Sequence, residues 1–282
     1  MTKFSQVVFE SVNDIRLSQE QVSDFSVIEH GIRLDCRLNT KIQNDYLIVA
    51  PNGAVDREKL DLPVFARWNY HSIFNSNILS ISDPVLVLED SLRIGWFAGT
   101  KSLDVADFTS KVVVEVAKQL GIKSDRIVFW GSSSGGFASV LLASKIDGAN
   151  FVSINAQSTI SNYYSGHVED YRKVFDGQSS IEKIVEDYPL RWSIINALNE
   201  SYINGLFTKG IVVQNTVDEM HYLKHYTPFC ESFYLPVEGG KSSRYELWSL
   251  LFENQKGHGP ETAEIAKKIV EEYLPRILGE NK

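Results

Sequence analysis

The sequence holds two cysteines, Cys36 and Cys230, far apart along 282 residues, so no disulfide framework holds it together and a reducing compartment suits it. No apolar run is long enough to span a bilayer, and the amino end, Met1 to Gln6, leads into no apolar signal core. No membrane span and a cytoplasmic location are the expectations. Positive charge is short as well. Lys and Arg number 28 against 36 Asp and Glu, and the net charge of −8 argues against a general nucleic-acid binder, leaving room only for a local basic pocket. Internal repeats and low-complexity linkers are missing. No lysine follows the glycines at 131–136, so that turn is not a phosphate-binding loop. Gly239-Gly240-Lys241-Ser242 has the lysine, but the place of the motif's first glycine is taken by Leu235.

What is present describes a globular chain. Hydrophobic residues make up 43% and charged residues 23%, and a chain this long buries a large core, so one α/β domain over 1–282 is expected. Its organising stretch is Arg126 to Ser144. A short apolar run rich in β-formers ends at Gly131-Ser132-Ser133-Ser134-Gly135-Gly136, and a helical pattern of small and apolar residues follows. Gly131-x-Ser133-x-Gly135 fits the nucleophile elbow, G-x-S-x-G, on a strand-to-helix turn. In such a turn the positions two before and two after the serine pass close together and must be small. Ser132-x-Ser134-x-Gly136 also matches small-x-Ser-x-small, but Gly131 abuts the strand, where the sharp turn must begin.

Along the chain, Phe4 to about Asn39 alternates apolar and polar and reads as antiparallel strands at a sheet edge. Tyr46–Ala50 is a continuous apolar run, expected of a strand buried on both faces, and ends in Pro51-Asn52-Gly53-Ala54. That turn is either a plain β-turn or one half of an oxyanion hole, with Gly53 and Ala54 as donors and Ser134, the residue after the nucleophile, as the other. A helix is expected from about Val105 to Leu120, stopped by Gly121, then the elbow, then a strand at Asn150–Asn155. Helices between short apolar strands require a mostly parallel sheet flanked by helices. Residues 159–202 break that rhythm. The segment is polar and aromatic, and reads as a small helical cap over the carboxyl ends of the strands. Tyr163, Tyr164 and Arg191 in it are candidate substrate contacts, although aromatic rings there equally pack the cap onto the body. Lys209–Asn215 resumes the sheet, Ser232–Pro236 is the last strand candidate, and a closing helix carries Ile265, Ile269, Tyr273 and Leu274.

A serine hydroxyl needs a base, and the base an orienting carboxylate. The α/β-hydrolase order is Ser, then Asp or Glu, then His, on loops at the carboxyl ends of strands, and Ser133, Asp218 and His258 have it. His221 is the reserve base. Asp218, His221 and His225 also have the spacing of a two-histidine, one-carboxylate metal site, but the serine makes better use of Asp218, and no metal is expected.

Leu62–Trp68, Ile81-Ser82-Asp83-Pro84, Gly95-Trp96-Phe97-Ala98-Gly99, the elbow, and Gln214-Asn215-x-x-Asp218-x-x-His221-x-x-x-His225 together resemble bacterial α/β-hydrolase-fold proteins of surface-glycan loci. These include capsule polysaccharide O-acetyltransferases and the related sugar O-acetyltransferase of the accessory secretion system. The resemblance runs from about residue 45 to 275. It implies a Ser133–Asp218–His258 triad, acetyl-CoA as donor with no cofactor held, a polysaccharide or oligosaccharide acceptor, and association with a glycan-assembly complex. An esterase or polysaccharide deacetylase shares the first half-reaction and differs only in its acceptor, water. A non-catalytic partner in a glycan-assembly complex is the third reading, and the complete Ser/Asp/His set speaks against it.

Overall fold

The computed structural model describes residues 7–41 and 45–280. Phe4–Gln6, the start of the stretch expected to form edge strands, lies outside the described residues. Ten strands form one sheet: β1 (Val7–Phe9), β2 (Val22–Glu29), β3 (Ile32–Asn39), β4 (Leu47–Pro51), β5 (Asn77–Ser82), β6 (Ile127–Ser132), β7 (Asn150–Ile154), β8 (Lys209–Asn215), β9 (Gly240–Lys241) and β10 (Leu247–Phe252). Their order is β1-β2-β3-β5-β4-β6-β7-β8-β10-β9. All neighbours from β5 across to β10 run parallel, as the alternation of strand and helix requires. The β2–β3 and β3–β5 pairs are antiparallel, but β1 lies parallel to β2, because the long connection between them returns the chain to the same end.

Period-two alternation divides the central strands between two cores. Leu47, Val49, Ile127, Phe129 and Phe151 face one core, while Ile48, Val128, Trp130, Val152 and Ile154 face the other. Helix Val105–Gln119 covers the first face through Phe108, Val112, Val113 and Val116. The Asp104 carboxylate caps its start by accepting from the Asp107 amide at 2.9 Å, and Gly121 at φ +70° lets the chain leave its end. Ile269, Leu274 and Ile277 of the closing helical segment cover the second face.

The last strand is not Ser232–Pro236. Helix Thr227–Ser232 ends there, Phe233 and Leu235 are buried in loop, and Tyr234 has φ +53°. The alternating exposure of a loop imitates a strand at this point. Leu247–Phe252, apolar on both faces, takes the place beside β8. Gly240-Lys241, the fragment that imitates a phosphate loop, pairs antiparallel with β10 as a short edge strand.

Between β7 and β8 the chain leaves the sheet for helices Ser165–Asp176, Ile181–Asp187, Pro189–Trp192 and Ile194–Ile203. Tyr171, Phe175 and Trp192 form their buried aromatic centre. Tyr171 also packs on Trp96 at 5.4 Å and donates its hydroxyl to Gly99 O at 2.8 Å, fastening these helices to the Gly95–Gly99 loop.

Candidate active site

β6 ends in the elbow, and the geometry there is strained at one residue. Ser133 has φ +55° and ψ −127°, a region L-residues avoid, between β6 and helix Ser134–Ala143. The flanking glycines have a steric cause. A Cβ at Gly131 would lie 2.1 Å from Gly135 O, and one at Gly135 would lie 2.7 Å from Pro51 O. Ser132 and Ser134 are used otherwise. The Ser132 hydroxyl accepts from Arg67 Nη2 at 3.2 Å, and Ser134 is buried in the first helical turn. Ser133, half-buried, stands at the strained position itself.

Ser133 Oγ lies 2.8 Å from His258 Nε2, and His258 Nδ1 lies 2.7 Å from Asp218 Oδ2. Three loops, far apart in sequence, thus bring together the three residues expected of the chemistry. Two buried asparagines at strand ends hold the histidine loop. Asn155 Nδ2 donates to Gly259 O at 2.7 Å, and Asn215 Nδ2 donates to Gly257 O at 2.7 Å and Asn254 O at 2.8 Å. Asn155 Oδ1 in turn accepts from the Asn215 amide at 2.7 Å, joining the two clamps. Three residues beyond His258, Glu261 is buried in an ion pair with Arg67 at 2.6 Å and accepts from Trp130 Nε1 at 2.8 Å.

Asp218 serves a second histidine. His221 Nδ1 is 3.0 Å from Asp218 Oδ1, and its ring stacks on that of His258 with centroids 4.0 Å apart and 10° between planes. Burial opposes the charge on Asp218, yet the hydrogen bonds from His221 and His258 hold it well below the usual carboxylate range. Burial keeps His221 below its ordinary value, and its Nδ1, facing the carboxylate at 3.0 Å, is the nitrogen placed to donate. Its Nε2 faces Gln157 Nε2 at 2.8 Å, not the serine. The reserve base is therefore turned away from the nucleophile. Gln157 also reaches Ser133 Oγ at 3.2 Å, and its Oε1 accepts from Trp96 Nε1 at 3.0 Å.

The three-residue metal pattern does not assemble. His225 points elsewhere and accepts the Ser158 amide on Nδ1 at 3.2 Å, and burial, then the nearby His221, pushes it down to about 3. Asp218, His221 and His258 do offer ligand atoms within 4.8 Å of one another, but both Nδ1 atoms face the carboxylate as hydrogen-bond partners.

The Pro51–Ala54 turn abuts the elbow. A Cβ at Gly53 would meet Ser132 O at 3.2 Å and Ser134 Oγ at 3.9 Å, which brings this loop and the first turn of the following helix to one spot. Asn52 anchors the turn, its Oδ1 accepting from the Asp83 amide at 2.6 Å. Asp83 is fully buried, and its carboxylate accepts from the amides of Val85 at 3.0 Å and Phe97 at 2.9 Å. Burial pushes it up to about 6, against those amide hydrogen bonds. A Cβ at Gly95 would lie 2.7 Å from Asp83 Oδ2, so Gly95 is small because this carboxylate passes beside it.

Of the candidate substrate contacts, Arg191 is turned inward. It is 8% exposed, donates through Nη1 to Thr100 O at 2.6 Å and Leu103 O at 2.9 Å, and lies over the rings of Phe175 and Tyr188. It fastens the helices to the body. Tyr163 borders the histidines, 5.7 Å from the His221 ring, and Tyr164 beside it is 55% exposed. Gln157 and Asn155 carry no motif signal, and the Gly95–Gly99 motif that holds Trp96 gives that residue no role. A polar residue just past an apolar parallel strand is the one hint that the sequence offers for the first two.

A parallel sheet with a strained serine elbow, an aspartate after β8 and a histidine after β10 defines an α/β-hydrolase-fold protein. No family model and no curated protein matches the chain. Solved structures do, and those named below are 12–15% identical. A capsule O-acetyltransferase of Neisseria meningitidis serogroup A is 15% identical, with 89% of this chain and 96% of that one covered at a TM-score of 0.62. Another structure of that enzyme is a complex with CoA, 15% identical over 88% of this chain and 95% of that one, at a TM-score of 0.59. Carboxyl esterase 2 of Tuber melanosporum is 12% identical over 98% of this chain and 88% of that one, at 0.59. A chain of the Glycosylation Associate Protein complex from Streptococcus agalactiae is 13% identical at 0.64. This sequence covers 91% of itself there but only 46% of that chain. No helix among the described residues is long and apolar enough to cross a membrane.

Proposed function

We propose that the protein is a serine-dependent O-acetyltransferase that moves an acetyl group from acetyl-CoA to a hydroxyl of a bacterial capsular or surface polysaccharide. The observation that carries the reading is the chain of contacts Ser133 Oγ–His258 Nε2, 2.8 Å, and His258 Nδ1–Asp218, 2.7 Å. The likeness to a capsule O-acetyltransferase, one of whose structures contains CoA, supports the choice of donor and acceptor. His258 takes the Ser133 proton as Oγ attacks the thioester carbonyl, while Asp218 holds the imidazole with Nε2 free to accept. The oxyanion meets the amides of Ser134 and of Gly53 or Ala54, each donor contributing about 3–4 kcal/mol. His258 gives that proton to the departing sulfur, the thiol leaves, an acetyl-enzyme remains on Ser133, and the neutral His258 deprotonates the sugar hydroxyl that replaces it. Residues 159–202 act as a cap that limits water and presents the acceptor, with Tyr163 and Tyr164 as sugar contacts. An enzyme using acetyl-CoA works where that thioester is made, in the cytoplasm, alongside a glycan-assembly complex.

The side chain of His258 is 32% exposed, and this favours a second reading. Water can reach such a base, and an esterase or polysaccharide deacetylase needs nothing more. Thiol release from acetyl-CoA, with and without a panel of capsular or wall polysaccharides, separates the two. The transferase expects slow release in buffer and a steep rise with the right glycan. If no glycan raises the rate while an acetylated glycan loses its acetyl groups to water, the deacetylase replaces it. Absence of Ser133 labelling by a fluorophosphonate would favour a non-catalytic role in a complex.

A further inference from the structure

One group touches the reacting oxygen and has no part in the scheme above: the amide of Gln157. The side chain is fully buried, and its orientation is determined by its partners. Trp96 Nε1–H donates to Oε1 at 3.0 Å, so both Nε2 hydrogens face the site. One goes to His221 Nε2 at 2.8 Å and the other to Ser133 Oγ at 3.2 Å. His221 is held to the accepting role on that side, because its Nδ1–H is committed to Asp218 at 3.0 Å. The contacts close a ring: Ser133, His258, Asp218, His221, Gln157 and back to Ser133. A glutamine that merely filled space would not need its donor aimed at the nucleophile and locked there from both ends.

We propose that Gln157 is a catalytic residue whose Nε2–H stabilises Ser133 Oγ as the leaving group when the acetyl-enzyme breaks down. The inference rests on the acetyl-enzyme reading. In that step the acceptor oxygen, from a sugar hydroxyl or water, bonds to the acetyl carbon and gives its proton to His258 Nε2. The bond from the acetyl carbon to Oγ then breaks, its electron pair stays on Oγ, and His258 returns the proton to that oxygen. An ester oxygen accepts a hydrogen bond weakly, and an oxygen gaining negative charge accepts it strongly. The Gln157 contact therefore gains strength as Oγ departs. In the first half-reaction the same contact favours the free serine and contributes nothing to attack. Loss of the donor slows release selectively, and acetyl-enzyme accumulates.

The test mixes the full chain with para-nitrophenyl acetate. Acetylation of Ser133 is followed by intact-protein mass spectrometry, beside nitrophenolate release. Gln157→Leu keeps most of the volume and removes the amide. It should acetylate near the wild-type rate in the first turnover, giving a burst, and then turn over about tenfold more slowly, with the acetyl form dominant. Gln157→Asn, whose amide falls one methylene short of Oγ, should behave alike and decides the matter if the leucine variant does not fold. Trp96→Phe, which frees the amide to turn, should give a weaker version of the same burst. A folded Gln157 variant with wild-type turnover and no burst overturns the inference. Equal slowing of first and later turnovers also overturns it, since that marks a structural role. If the wild-type protein never acetylates on Ser133, the acetyl-enzyme reading itself fails and this inference with it, an outcome recognisable before any Gln157 variant is made.

Discussion

Two imidazoles share the Asp218 carboxylate, and they belong to opposite halves of the site. His258 stands on a glycine-flanked loop, 32% exposed, with Nε2 on the serine. His221 is wholly buried one turn after Asp218, with Nε2 on Gln157. Both rings face the same carboxylate with the same nitrogen, and they stack nearly parallel. What separates a base from a support is the partner of the other nitrogen. The outer half, Ser133, His258 and Tyr164 next to Tyr163, is the more exposed one. The inner half, His221, Gln157, Trp96 and Asp83, is buried: His221 and Trp96 both bond to Gln157, and Asp83 holds the amide of Phe97, the neighbour of Trp96. Changes in the outer half should cost mainly activity, and changes in the inner half should cost activity and stability together.

The largest effect expected is on turnover. Ser133→Ala and His258→Ala should each lose on the order of a million-fold in acyl transfer and ester hydrolysis if the triad acts as a unit. Ser133→Ala should melt close to the wild-type temperature, while His258→Ala, which takes one partner from Asp218 and the ring stacked on His221, should lose some stability. His221→Ala should retain far more turnover, yet lose about 1–3 kcal/mol of stability, because Gln157 Nε2 and Asp218 are left with an unpaired face. Steady-state rates with thermal melts check all three variants. Equal loss of rate at both histidines would erase the distinction drawn here.

A second effect is a pH dependence confined to the inner half. The Asp83 carboxyl has an ordinary pKa of 3.8, and burial raises it to about 6 in the fold. A raised carboxyl pKa means that the native state prefers the neutral form. The stability this confers is fully present below the unfolded value and is lost as pH rises through about 6. Asp83→Asn does not titrate. Its stability relative to wild type should therefore climb between about pH 4 and pH 7, by at most about 3 kcal/mol. Urea unfolding of the two proteins across that range measures it, and a difference that stays flat with pH would place Asp83 outside this account.

The smallest effect belongs to the rim. Tyr164→Ala should leave the melting temperature unchanged within about 0.5 kcal/mol, as an exposed substitution does, and weaken the response to a glycan acceptor a few-fold. Arg191→Ala, expected from sequence to behave similarly, should instead destabilise the protein, since three backbone carbonyls and two rings lose a cation. Parallel melts and acceptor titrations would show whether the two residues separate in this way.

Legibility followed the range of the interactions. The elbow at Gly131–Gly135 was readable because its requirement is local: a sharp turn brings two positions within contact, and only glycine fits. Helix Val105–Gln119 was readable from its stripe and its stop. The apolar runs at β4, β6, β7 and β8 were readable because parallel strands are buried on both faces. Ser232–Pro236 misled, since burial from a helix end and a loop can alternate as a strand does. Arg191 misled because an arginine among aromatics is written identically whether it faces a sugar or a ring stack.

The sequence by itself determined the α/β alternation, the strained serine, and the order in which Ser133, Asp218 and His258 arrive at one edge of the sheet. Each of those follows from neighbours a few residues apart, or from strand order along the chain. Only the tertiary structure decided which histidine meets the serine. It also decided that Asn155 and Asn215 hold the His258 loop, and that Trp96 aims Gln157 at Ser133 Oγ. The reason is physical. A hydrogen bond depends on where two atoms lie to within a fraction of an ångström, and the partners here are brought together by packing from segments 24 to 125 residues apart.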